Sequence, residues 1–481
     1  MNKLLKKYNE LNIQAKAAIW FVVCSILQKG ISFITVPIFT RLLTTEQYGT
    51  YSLYLSWLQI LTIITSLYLY HGVFNNAMVK FENDRNRYIS CVQGLTMLLD
   101  LGAFLIYIVA YRFWSDLLGL APIIVLLMFV EMLVEPSLQF WSGRQRFEYR
   151  YKKLVTVTII KSIANPILGI IAVLLFEQKD VARISSVVLS EILVCGPIMI
   201  YQFAKGKAIF SKKYWKYALS LAIPLLPHYL SSMVLNQSDR VMISKMVGNS
   251  EVAFFSVAYS IGMLTQMFTN AINNSFTPWM YQKIKNGSYV GVCKTINSLL
   301  ILVGVIAFCL MMFSPELVMI FGSEEYAHAV YVIPPVAASV FFIFLYNILA
   351  IPQFYYEKTK FLMMSSLGAA VLNLVLNYIF IRRFGYIAAG YTTLACYVLY
   401  GFGHYVISVN ILKKVIPGKK LYDYKFILAA SVVMILCGVL CNCLFDYWFI
   451  RYTILLVCAI IAVIKRKEIM GIISGMRGSK K

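Results

Sequence analysis

Pro224-Leu-Leu-Pro227-His228-Tyr-Leu-Ser231-Ser232-Met-Val-Leu-Asn236-Gln-Ser-Asp239-Arg240-Val-Met-Ile243, followed past Gly248-Asn249 by Phe255-Ser-Val-Ala-Tyr259-Ser-Ile-Gly262, carries one apolar segment into the next. A fainter copy stands near the N-terminus as Pro37-Ile-Phe-Thr40-Arg41-Leu-Leu and then Tyr48-Gly49-Thr-Tyr51-Ser52-Leu. Setting Thr40-Arg41 on Asp239-Arg240 takes an offset of 199 residues, and setting Tyr51-Ser52 on Phe255-Ser256 takes 204, so the second copy holds five extra residues. Each copy has a proline-containing apolar span, a charged turn and a second span opening on an aromatic-Ser pair. The chain reads as built twice, a pattern that in a membrane protein points to two lobes.

Composition fixes the class. With 60% hydrophobic and 14% charged residues in 481, a soluble fold is excluded and an all-α, polytopic membrane protein is expected. About fourteen segments reach the roughly 20 apolar residues that a helix needs to cross a hydrocarbon core. They lie near 17–39, 51–72, 89–111, 117–140, 154–176, 181–204, 217–238, 251–274, 295–315, 327–351, 361–381, 386–410, 425–444 and 448–464. Placing the N-terminus inside puts 33 of the 44 Lys and Arg in inner segments and nine in outer ones, so both termini are expected in the cytoplasm. Two six-span halves are expected at 1–210 and 211–416, with two further spans and a basic tail at 417–481.

The net charge of +23 is spread over short inner segments, which suits anionic lipid headgroups and not nucleic acid. Residues 1–16 and the tail from Lys465 form basic amphipathic stretches suited to the inner membrane surface. The first span carries Lys29 at its centre and lacks a cleavage pattern, so it reads as a retained span. The ten cysteines form no CxxC pair and read as packing residues. His228, His328 and His404 lie on separate spans without metal-ligand or catalytic spacing, and no outer loop is long enough for a catalytic domain. No metal or cofactor is expected. A polymerase, ligase or acyltransferase is disfavoured on the same grounds.

Polar residues recur at helical spacing in four repeat-related spans. The first has Ser25, Gln28, Lys29 and Ser32 on one face, and the second has Ser52, Ser56, Gln59, Thr62 and Ser66. The seventh offers His228, Ser231, Ser232 and Asp239, and the eighth Gln266, Asn270, Asn273, Asn274 and Thr277. Single hydroxyls commonly serve interhelical bonds, but four matching stripes point to a shared wet cavity. Intramembrane charge is the sharper signal, costing about 2.5 to 3.5 kcal/mol per group unless it meets protein or water. Lys29, Asp100, Glu131, Glu135, Lys161 and Glu191 are such groups, and the later spans are expected to form a mostly neutral wall. Lys161 shares a polar face with Thr158, Ser162 and Asn165. Internal Lys–carboxylate pairing and contact with substrate or ion both remain open. Glu131 and Glu135, at i and i+4 ahead of Pro136, read either as a protonatable pair or with Glu135 reaching the inner interface. Pro37, Pro224 and Pro227 are expected to bend their helices.

Arg41-Leu-Leu-Thr-Thr-Glu-Gln-Tyr48-Gly49-Thr-Tyr51, Ser238-Asp239-Arg240-Val-Met-Ile243 and Phe255-Ser-Val-Ala-Tyr259 resemble the bacterial lipid-linked oligosaccharide flippases of the Wzx type. These are polysaccharide biosynthesis proteins of the multidrug/oligosaccharidyl-lipid/polysaccharide exporter superfamily. The resemblance implies two six-helix lobes in a V, a cavity lined by the first, second, seventh and eighth spans, and two extra C-terminal helices. It implies transfer of an undecaprenyl-diphosphate-linked sugar unit to the outer leaflet of the bacterial cytoplasmic membrane, for capsule, O-antigen or exopolysaccharide synthesis, driven by a counter-transported proton or sodium ion. Polysaccharide polymerase and glycosyltransferases are the implied partners.

On that reading Lys29, with Lys161 or Arg240, attracts the diphosphate, while Gln28, Gln59, His228, Asp239, Gln266, Asn270, Asn273 and Asn274 solvate the sugars. Asp100, Glu131, Glu135 and Glu191 couple the ion, and Arg41 with Asp239 forms an outer gate. The run of acids departs from the purely cationic cavity typical of such flippases. A multidrug/cation antiporter of the same fold is the alternative, and Lys29 argues against it.

Overall fold

The computed structural model describes residues 12–416 and 420–464. Most of the N-terminal basic stretch and the whole tail from Lys465 lie outside the described residues. The described chain is helical, without strands. Its first half runs α1 (Ile13–Leu42), α2 (Thr45–Ser66), α3 (Val73–Lys80), α4 (Arg85–Val109), α5 (Tyr111–Leu118), α6 (Pro122–Phe147), α7 (Tyr151–Leu175), α8 (Lys179–Gly206) and α9 (Lys212–Met246). The second half runs α10 (Asn249–Gly262), α11 (Thr265–Lys285), α12 (Val292–Met312), α13 (Ser314–Phe321), α14 (Ile333–Tyr355), α15 (Thr359–Phe384), α16 (Ile387–Val415), α17 (Tyr424–Leu440) and α18 (Trp448–Ile464).

Eleven helical stretches among the described residues are long and apolar enough to cross a membrane, and α10 with α11, bent by 41° at their junction, makes a twelfth. The other two expected spans are helical as α2 and α18. The serines, Gln59 and Thr62 lower the hydropathy of α2, and the apolar part of α18 is short, Trp448–Ile461. α2 opens on a capping box, with Thr44 Oγ1 accepting from the Gln47 amide at 3.3 Å and Gln47 Oε1 from the Thr44 amide at 3.1 Å. It does not continue to residue 72. Leu67 (φ 47°) and Tyr68 (φ 51°) turn left-handed, and the helix resumes as α3.

The chain divides into two compact units, the first ending at Lys245 and the second beginning at Met246. The sequence placed the boundary at 210/211, ahead of α9. In the structure α9 packs on the first unit at both ends. Near its start Tyr214, Ala218 and Ala222 join a core with Phe74, Tyr88 and Phe140, and Trp215 Nε1 donates to the Cys91 carbonyl at 2.7 Å. Near its end Gln237 Nε2 donates to Gln59 Oε1 at 2.9 Å, and Lys245 Nζ donates to the Asp116 carbonyl. α9 remains one helix through Pro224 and Pro227, which leave the Ser220 and Ile223 carbonyls without their helical donors.

Elsewhere in the first unit α8 packs against α6, α7 and α4, and α1 lies on α7. A Cβ on Gly206 would come within 2.1 Å of the Ser90 Cβ, so α8 and α4 approach at a distance that glycine permits. The second unit is built on α14. Its residues are apolar all round, as a helix enclosed by others requires, and it contacts α11, α12, α16 and α17.

The expectation of a neutral wall is corrected by Arg451 in α18. The side chain is 4% exposed and forks onto Glu316 of α13, with Nη1 at 2.9 Å from Oε2 and Nη2 at 2.8 Å from Oε1. Nη1 also donates to the Met312 carbonyl at 2.7 Å, and the Tyr452 hydroxyl to Glu316 at 2.9 Å. One arginine thereby ties the last helix to the end of α12.

Candidate functional site

In the first unit the helical repeat of α6 puts Glu131 and Glu135 one turn apart, and that of α8 does the same for Glu191 and Cys195. α7 carries Lys161 to the same place. Lys161 Nζ lies 2.6 Å from Glu191 Oε1, and the Cys195 thiol donates to Glu191 Oε2 at 3.0 Å. The Tyr54 hydroxyl of α2 donates to Glu131 Oε2 at 2.5 Å, and Gln139 Nε2 donates to Glu135 Oε1 at 2.5 Å. Glu131 and Glu191 are buried, Glu135 is half-buried, and all three carboxylates lie within electrostatic range of Lys161. Three acids therefore share one ammonium in a low-dielectric place, which leaves the cluster short of positive charge. Ser137 Oγ donates to the Cys195 carbonyl at 2.9 Å and fixes the spacing of α6 against α8.

The structure thus brings together Glu131, Glu135, Lys161 and Glu191. It holds Asp100 apart on α4, buried, with Oδ1 accepting no hydrogen bond. Lys29 and Gln28 are exposed on α1, and Lys29 makes no hydrogen bond or ion pair among the described residues. The hydroxyls beside them, Ser25 and Ser32, bond back to the carbonyls of Phe21 and Gln28. On α2 Ser52, Ser56 and Ser66 are buried, whereas Gln59 is exposed and pairs with Gln237. Arg41 is exposed and donates to the Pro37 carbonyl at 2.8 Å. On α9 His228 is half-buried, Asp239 is fully buried, and Arg240 Nη1 donates to the Asn236 carbonyl at 3.3 Å. In the second unit the α11 amides Gln266 and Asn273 are half-buried and Asn270 and Asn274 exposed, and Gln266 Oε1 is buried without a donor.

Sequence reasoning missed Arg183. It is 3% exposed on α8 and has no carboxylate partner among the described residues. Its guanidinium donates to Asn165 Oδ1 at 2.9 Å, to the Tyr51 hydroxyl at 3.2 Å and to Ser186 Oγ at 3.2 Å, and it lies 4.1 Å from the Phe39 ring centroid. α1, α2, α7 and α8 meet on this one side chain. Gly169 makes the room, since a Cβ there would stand 2.6 Å from both Arg183 Nη1 and Phe39 Cζ. The signal was available in the sequence as an arginine two residues inside the sixth span.

Residues 15–283 match the family described as polysaccharide biosynthesis protein. The chain belongs to this family. Residues 224–379 of this polysaccharide biosynthesis protein also match the MatE family, which places it in the multidrug/oligosaccharidyl-lipid/polysaccharide exporter superfamily. A Haemophilus influenzae protein of the Lsg locus is 23% identical over 288 residues, covering 57% of this chain and 68% of that one. A membrane protein of the same organism is 22% identical, and the match spans 65% of its length. In fold the chain is similar to the lipid II flippase MurJ in an inward closed conformation, with a TM-score of 0.72 and 16% identity over 94% of this chain and all of that one. It is also similar to an inward-facing multidrug resistance transporter of the MATE family, with a TM-score of 0.61 and 14% identity over 81% of this chain and 96% of that one. The fold is that of a multi-pass membrane transporter.

Proposed function

We propose that this polysaccharide biosynthesis protein moves an undecaprenyl-diphosphate-linked oligosaccharide from the inner to the outer leaflet of the bacterial cytoplasmic membrane by ion-coupled alternating access. Both termini are cytoplasmic on this reading, and the lobes are 1–210 and 211–416 with two added helices. The observation that carries the coupling is the cluster of Glu131, Glu135 and Glu191 around the single Lys161. Buried charge has to be balanced, so the cluster takes up a proton or cation in one state and gives it up in another. Lys161, held by Glu191, belongs to this machinery, and Lys29, exposed and without a bonded partner, is the group left to attract the diphosphate. The amides of α11 supply donors and acceptors to sugar hydroxyls. Asp239 and Arg41 remain the proposed outer gate.

Transport of this kind breaks no covalent bond, so no catalytic residue is assigned. Family membership and the fold of MurJ support the substrate class. The MatE match favours a second reading, a cation-coupled drug antiporter. The two are separated by cells lacking the protein. On the proposed reading they accumulate lipid-linked oligosaccharide and lose surface polysaccharide; on the other they lose only resistance to cationic compounds.

A further inference from the structure

The second span breaks where its sequence gives little warning. Ser66-Leu-Tyr-Leu-Tyr70 is largely apolar, yet Leu67 and Tyr68 both sit at positive φ, a conformation that is strained for residues with a side chain. The turn is well bonded, with Ser66 Oγ accepting from the Tyr68 amide at 3.1 Å and the Tyr68 carbonyl from the His71 amide at 3.0 Å. The turn follows the 22 residues of α2 and faces α9, where Tyr229 lies 4.9 Å, centroid to centroid, from Tyr68. Non-helical backbone in a membrane protein survives where it is buried in protein or lines a wet cavity.

What the strained turn achieves is a cluster of rings. Tyr68 and His71 stack in parallel at 4.0 Å with 17° between planes, and Tyr229 closes one side. Tyr70 anchors the turn, edge-on to Phe140 at 5.9 Å. His71 is exposed, and Tyr68 and Tyr229 are half-buried. Their surfaces combine apolar ring faces with hydroxyl and imidazole rims. A pyranose is the complementary object, having a face of C–H bonds and a rim of hydroxyls. Glu135 lies within electrostatic range of Tyr68 and Tyr70, and its Oε2 is buried without a donor, an acceptor left for a hydroxyl.

Arg146, within electrostatic range of His71, sets a positive charge beside the rings and disfavours an organic cation, the other common occupant of aromatic clusters. We propose that Tyr68, His71 and Tyr229, presented by the break between α2 and α3, form a stacking platform for a sugar ring of the transported lipid. This rests on the flippase reading and names the residues that read the glycan apart from the diphosphate.

The test uses the full chain in nanodiscs and two probes: lipid-linked oligosaccharide extracted from cells lacking the protein, and undecaprenyl diphosphate without sugar. The platform predicts that Tyr229→Leu and His71→Leu each weaken the glycosylated lipid about tenfold or more while changing undecaprenyl diphosphate less than about twofold. Tyr68→Phe, which keeps the ring, should retain the wild-type ratio. Retained binding of undecaprenyl diphosphate shows that each variant is folded. Equal loss for both lipids, or an unchanged ratio, overturns the platform, and so does ring-dependent binding of tetraphenylphosphonium in place of the glycosylated lipid. Wild-type protein that binds neither lipid overturns the flippase reading itself, a separate result.

Discussion

Replacing Glu191 by Leu removes the partner of Lys161 and leaves an ammonium group only 24% exposed among apolar helices. Breaking a buried pair from one side costs about 3 to 5 kcal/mol, because the remaining charge keeps its desolvation penalty and loses its compensation. The residual exposure of Lys161, and the nearness of Glu131 and Glu135, place the loss at the lower end, about 3 kcal/mol, or more than a hundredfold in the unfolding constant. The double variant Lys161→Met/Glu191→Leu removes both charges and keeps the volume, so it should recover most of that loss, less what Glu131 and Glu135 lose with the ammonium. Equilibrium unfolding in bicelles, followed through the four corners of the double-mutant cycle, reads the coupling directly. A Glu191→Leu loss below about 1 kcal/mol with additive behaviour in the double variant would refute the pairing as an energetic unit. The stable double variant should nevertheless fail in transport, which separates coupling from stability.

Three other outcomes follow from the structure. Gly169→Ala should cost about 1 to 3 kcal/mol, because its Cβ meets the guanidinium of Arg183 and the ring of Phe39, and thermal unfolding of the purified protein checks this. Burial opposes ionisation of Glu316, but the hydrogen bonds from Arg451, a backbone N–H and Tyr452, together with the guanidinium charge, outweigh it and hold the carboxyl below its usual value. Its contribution is therefore present above the ordinary carboxylate range and lost as the pH falls through the lowered value, so the stability gap between wild type and Glu316→Gln should close in acid. Lys29→Ala should abolish polysaccharide export at equal protein level while Lys29→Arg retains part of it; full export by the Ala variant removes Lys29 from the diphosphate site.

Apolar runs made the spans legible, since a helix that crosses lipid has to be apolar for about 20 residues. The same rule made Lys161 and Glu191 conspicuous, and helical spacing placed Lys161 on a polar face, but not which acid would meet which lysine. That choice rests on how α6, α7 and α8 pack, which no local pattern encodes. The serine stripes carry less than their spacing suggests about interhelical bonding. Ser25, Ser32 and Ser56 satisfy themselves on their own helix, as mid-helix hydroxyls can. The break after Ser66 was hidden because Leu67 and Tyr68 are not residues that ordinarily turn left-handed, and Gly72 comes too late to mark it. Arg183 and Arg451 were overlooked because each lies within three residues of the start of its span, where an arginine reads as an interface anchor. Their burial at 3% and 4% is a property of the neighbouring helices.

The most direct measurement is transport in proteoliposomes loaded with lipid-linked oligosaccharide, scored by access of an impermeant glycosidase to the opposite leaflet while a proton or sodium gradient is imposed. The wild-type protein should accumulate the substrate in that leaflet only with the gradient of its coupling ion. Glu131→Gln/Glu191→Gln, which removes two of the three carboxylates around Lys161, should abolish the accumulation. Accumulation that is indifferent to both gradients, or unchanged in the double variant, would contradict ion coupling through this cluster.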